Sequence, residues 1–237
     1  MNSNIDLTLN ALGHCYGYGS ENAKYFFFGL EEKEVLESSE SKRYLAYVKK
    51  FEKTNNFYYL SNEEIYALCP ECQNEDMKQT NRLYPMYKHI YETISEDSVE
   101  LTEIGSSHKP ILIGNLFPFE KKETNFSYKK EEESWWKSNL EDRVKSIINL
   151  LIEKAEKNYV FCFGKIFEYC YHFNKIGNLD LGKPKGFSQY AHRSNIYFKH
   201  PELNLYLLRH PSKGWLTKKQ INEILDGFKH KIKSNIR

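Results

Sequence analysis

Four polar side chains follow apolar runs at widely separated points of the chain. "LYLLRHPSKGW" (205–215) runs from four apolar residues into Arg209, His210, Pro211 and Ser212, and "PILIGN" (110–115) ends on Asn115. "KYFFFGLEE" (24–32) ends on Gly29, Leu30, Glu31 and Glu32. An imidazole, an amide, a carboxylate and a small hydroxyl thus come directly after runs that read as strands. In an open parallel sheet, ligands bind in the crevice beyond the carboxyl ends of the strands, so these positions are expected to converge on one site. Taken singly, Asn115 reads equally well as a turn cap, Glu31 as a helix cap and His210 as a hydrogen-bonded structural histidine.

The elements that would position these groups are legible as runs and stripes. The same three runs and "YVFCFG" (159–164) each hold about four consecutive apolar residues, as expected for strands covered on both faces. "SNIYF" (194–198) reads as a further short strand. Between them, Leu140, Val144, Ile147, Ile148, Leu151 and Ala155 mark a helix within 134–157. Thr217 to Gln220 reads as a capping box before Ile221, Ile224, Leu225 and Phe228. Further helices are expected over 41–51, 61–69, 83–94 and 165–173. Strands alternating with helices predict an α/β fold with a mostly parallel sheet, in a single domain spanning 1–237.

The chain has 237 residues, 40% of them hydrophobic, which suits a globular domain with a real core. No apolar run has the length of a membrane span, and "MNSNIDLTLN" lacks the pattern of a signal peptide, so a soluble cytoplasmic protein is expected. The net charge of +2 conceals an asymmetry: residues 182–237 hold 12 Lys and Arg against 3 Asp and Glu, while the first 181 hold 22 against 29. A basic end on an acidic body fits either a polyanion-binding face or a solubilising terminal helix. The five cysteines, Cys15, Cys69, Cys72, Cys162 and Cys170, are expected as reduced thiols. "CPEC" (69–72) lacks a second ligand pair at regular spacing; His89 and Cys15 are the groups that could complete a zinc site, and none is expected.

Together "FGLEE", "GNLFPF", "YVFCFGKIFEY" and "RHPSKGW" resemble, in order, the motifs of the uracil-DNA glycosylase superfamily, over roughly residues 20–230. The resemblance implies a three-layer α/β/α domain on a central four-stranded sheet. It implies an enzyme that flips uracil or a related altered pyrimidine out of single- or double-stranded DNA and hydrolyses its N-glycosidic bond, as a monomer without metal or cofactor. His210 then matches the histidine that donates to uracil O2 as the base departs as an anion, with Pro211 fixing the backbone behind it. Asn115 matches the base-reading amide, whose donor and acceptor pair with uracil O4 and N3–H. Glu31, or Glu32, falls where relatives orient the attacking water. Gly29 and Leu30 complete the first motif, and Ser212 would grip a phosphate. In "KGWLTKK", Trp215 or Leu216 would wedge into the gap left by the flipped base, while Lys213, Lys218 and Lys219 would contact phosphates. The base-stacking aromatic falls among Tyr44, Tyr47, Tyr58 and Tyr59. "GLEEKEVLE" departs from the family's first motif, which keeps open a non-catalytic nucleic-acid-binding role, or action on a hypermodified base in defence against foreign DNA.

Overall fold

The computed structural model describes residues 2–31, 40–54, 56–70, 83–117, 129–164, 166–179, 181, 197–210 and 217–234. In chain order the elements are α1 (Asn2–His14), β1 (Cys15–Gly19), β2 (Tyr25–Glu31), α2 (Glu40–Thr54), β3 (Tyr58–Leu60) and α3 (Asn62–Tyr66). They continue with α4 (Leu83–Ser95), β4 (Ile111–Phe117), α5 (Lys129–Ala155), β5 (Tyr159–Phe163), α6 (Ile166–Gly177), β6 (Tyr197–Lys199), β7 (Leu205–Leu208) and α7 (Lys218–Ser234).

The four apolar runs form the middle of the sheet, and each buries side chains on both faces. In β2, Tyr25 and Phe27 enter one apolar cluster while Phe26 and Phe28 enter the other. Strand β5 divides in the same way, with Phe161 and Phe163 on the first face and Val160 and Cys162 on the second. Helices α2, α4 and α7 cover the first face through Ala46 and Tyr47, Met86 and Ile90, and Ile221 and Ile224. Helices α5 and α6 cover the second through Val144, Ile147, Leu151, Tyr169 and Phe173. The capping box at the start of α7 is formed: Thr217 N–H donates to Gln220 Oε1 at 2.9 Å and Gln220 N–H to Thr217 Oγ1 at 3.3 Å.

The expected α/β class holds, but the sheet has seven strands rather than four, in the order β3-β1-β4-β2-β5-β7-β6. Strands β4, β2, β5 and β7 run parallel to one another; β1 pairs antiparallel with β4 and parallel with β3, and β6 pairs antiparallel with β7. The additional strand β1, "CYGYG", has no apolar run because it lies flush against β4. Gly19 has φ 131°, and a Cβ there would collide with the Ile111 carbonyl, so only glycine fits.

The turn between β6 and β7 is organised by His200. Its Nδ1 accepts from the N–H groups of Glu202 at 3.2 Å and Leu203 at 3.0 Å, which puts the ring proton on Nε2. Burial lowers its pKa from 6.5, with Glu202 opposing, so the folded state holds the neutral ring. The unfolded chain therefore binds the extra proton first as pH falls. Stability should be full above about pH 6.5, fall as pH drops through that value, and level off below the folded pKa. Urea denaturation of wild-type and His200→Gln proteins between pH 5 and 8 checks this; the variant should lose the slope contributed by this ring.

Candidate functional site

Parallel strands deliver their carboxyl ends to one edge, and the register shows what meets there. Gly29 of β2 is paired with Asn115 of β4, and Glu31 with Phe117. Next to β2, Phe163 of β5 is paired with Leu208 of β7, and the N–H of Gly164 donates to the Leu208 carbonyl at 2.9 Å. His210 lies two residues beyond Leu208 and is half-buried, as is Asn115. From β4 to β7 the sheet takes three steps, so the strand that carries Asn115 and the strand that leads to His210 run roughly 14 Å apart, with β2 and β5 between them.

Gly29 has a specific steric reason. A Cβ built on it would run into Asn115 Oδ1, so the amide of Asn115 lies across the neighbouring strand in space that only glycine leaves open. Gly29→Ala should expel that amide from its position while leaving the sheet formed. The expected result is a protein with nearly unchanged thermal unfolding and, on the catalytic role proposed below, at least about tenfold lower activity, since misplacing a reacting or reading group by about 1 Å can cost up to 100-fold. Activity equal to wild type would show that the position of the amide is immaterial.

The backbone behind this pair is held by two buried side chains. Tyr169 of α6, fully buried, donates its hydroxyl to the Gly29 carbonyl at 2.5 Å and lies 3.3 Å from that of Phe28. Its pKa is pushed well above the ordinary phenol value by burial, with Cys162 and Tyr87 adding to the effect, so it remains a neutral donor. Arg143 of α5 is 3% exposed. Its Nη2 donates to the Asn115 carbonyl at 2.9 Å and its Nε to that of Leu116 at 3.1 Å. Its Nη1 reaches the carbonyls of Gly13 at 2.6 Å and Cys15 at 3.0 Å. Gly13 belongs to the last turn of α1, where the helix dipole favours a cation.

Sequence reasoning passed over both residues, although each carried a signal. Arg143 is a charged residue inside the buried stripe of its helix, three positions after Leu140 and four before Ile147. Tyr169 stands between Ile166 and Phe173 on the buried side of α6.

Of the expected site residues, the structure therefore brings Gly29, Asn115 and His210 to one sheet edge. Leu30 and Glu31 continue β2 to the same edge, their side chains lying outside the described set. Glu32, Ser212, Lys213, Trp215 and Leu216 lie outside the described residues. Lys218 and Lys219 are exposed on the first turn of α7. Two aromatic candidates are spent elsewhere. Tyr47 is 1% exposed and shares a hydrogen bond with the Tyr18 hydroxyl, while Tyr58 donates to the Ala11 carbonyl at 2.6 Å. Tyr59 packs against Tyr16 with the cluster of the second face, away from the Asn115 amide. Of the four, Tyr44 on α2 remains, its side chain outside the described set. On its β1 side Asn115 adjoins a cavity of about 20 Å³, walled by Tyr16, Tyr47, Gly114 and Arg143. That is room for a water and not for a base.

The cysteines require a correction. Cys15, Cys162 and Cys170 are free and buried, but Cys69 is disulfide-bonded, against the expectation of reduced thiols throughout. Burial pushes the thiol of Cys170 up to about 11 and that of Cys162 well above the usual range, so both remain protonated and unreactive. His89 Nε2 is 2.8 Å from Asn222 Oδ1, and among the described residues no three His, Cys, Asp or Glu side chains gather in a way that could hold a metal ion. No helix of the described residues is long and apolar enough to cross a membrane. Compared with known proteins, the chain matches no family model, no curated protein and no solved structure.

Proposed function

We propose that this protein is a DNA glycosylase that removes uracil or a related altered pyrimidine after drawing it out of the DNA stack. The observation that carries the reading is the registered pair of Gly29 and Asn115, with its amide laid over the glycine, on the same sheet edge as His210. An amide that both donates and accepts can read the O4 and N3–H edge of uracil. An imidazole on the far side of the ring can donate to O2 as negative charge collects there.

In this reading the reaction needs three contributions from the chain. Asn115 selects and holds the base. His210 stabilises the departing base anion, which is where the transition state differs most from the bound substrate. Glu31 or Glu32, at the end of β2, orients a water toward the sugar carbon as the bond to the base nitrogen breaks. Lys218 and Lys219 at the start of α7, with the basic end of the chain, supply salt-sensitive phosphate contacts.

The test is release of base from single- and double-stranded oligonucleotides carrying one uracil, read as alkali-labile abasic sites. A panel of modified pyrimidines identifies the preferred base. Salt-sensitive DNA binding with no abasic product on any substrate would overturn the enzymatic reading and leave a nucleic-acid-binding protein.

A further inference from the structure

The carbonyls of the registered pair are held from behind, each by a different helix on the same face of the sheet. Gly29 O accepts the Tyr169 hydroxyl from α6, and Asn115 O accepts the Arg143 guanidinium from α5. Both helices pack on the face opposite the one toward which the Asn115 amide is turned. Each side chain is also tied to a second point of its strand, Tyr169 at Phe28 and Arg143 at Leu116. Arg143 further joins β4 to the end of α1 and the start of β1 through Gly13 and Cys15. β5 pairs with β2 only as far as Phe28 and β1 with β4 only as far as Ile113, so at Gly29 and Asn115 the two strands keep each other but have lost their outer neighbours. Here both strands are held at this level by buried side-chain donors from the helices behind them.

We propose that Tyr169 and Arg143 are positioning residues, a paired clamp that sets the offset of β2 against β4 and thereby the distance between the base-reading amide and the water-orienting end of β2. The clamp rests on the glycosylase reading above. It acts through the backbone and touches neither base nor sugar. Its effect should therefore fall on the reacting geometry, and so on kcat, while DNA affinity set by phosphate contacts stays as it was.

The decisive variant is Tyr169→Phe, which keeps the buried ring and removes only the hydroxyl. Uracil excision from a single-stranded oligonucleotide is measured under steady state for wild type and variant, with the folded fraction of each taken from near-ultraviolet circular dichroism. Expected is a fall in kcat per folded molecule of about tenfold, with KM within about twofold of wild type. Arg143→Lys, which keeps the charge but loses the fork, should move the same parameter in the same direction. A kcat per folded molecule within about twofold of wild type in Tyr169→Phe overturns the clamp while leaving the glycosylase reading intact, and so does a loss accounted for by unfolding alone. No abasic product from wild type overturns the reading and the clamp together.

Discussion

On the proposed glycosylase reading, replacing His210 with alanine should lower single-turnover excision of uracil by roughly 100- to 1,000-fold, the usual effect of deleting one donor aimed at developing negative charge. The size follows from where the charge goes. Cleavage leaves both bonding electrons on the base, and a pyrimidine anion without a donor at O2 is a poor leaving group. In the proposed mechanism the imidazole just beyond β7 would supply that donor in a half-buried setting, where such an interaction is stronger than in water. Binding of uncleaved DNA should change little, because the proposed phosphate contacts come from Lys218 and Lys219. His210→Gln, which restores a donor at a similar reach, should recover part of the rate. Excision by the alanine variant within about tenfold of wild type would remove His210 from the mechanism.

Replacing Arg143 with methionine should destabilise the protein by about 3 kcal/mol or more. The stem would be matched in length and the apolar stripe of α5 completed, so packing is not the issue. What is lost is a planar donor satisfying the carbonyls of Asn115, Leu116, Gly13 and Cys15 at once. Buried acceptors left without donors cost about 1–3 kcal/mol each, less whatever water can reach them. The shift of the urea midpoint at pH 7, with an unchanged slope, measures the loss. A change under about 1 kcal/mol would mean that the carbonyls find other donors.

The four central strands were legible because a parallel strand buried on both faces reads as an unbroken apolar run, and "KYFFFG" and "LYLLRH" are such runs. The outer strands were not. Strand β1 achieves its fit by omitting side chains at Gly17 and Gly19, and three residues of β3 carry no period of their own. Helix α1 escaped because its stripe is weak. Strand-end logic placed Asn115 and His210 at one sheet edge, as the structure does, but nothing in the sequence linked Gly29 to the amide beside it. That contact depends on register, which is a property of two strands together. The disulfide at Cys69 was hidden as well, because an odd number of scattered cysteines gave no sign of a pairing.

Extending the sheet past β4 changes what the protein offers to its neighbours. With β1 laid alongside, β4 has a strand neighbour on each side. Among the described residues the outermost ribbons are β3 and β6, three residues each, too short to template the addition of a foreign chain. A molecule rich in tyrosine and phenylalanine thereby keeps its stickiest backbone out of reach of aggregation.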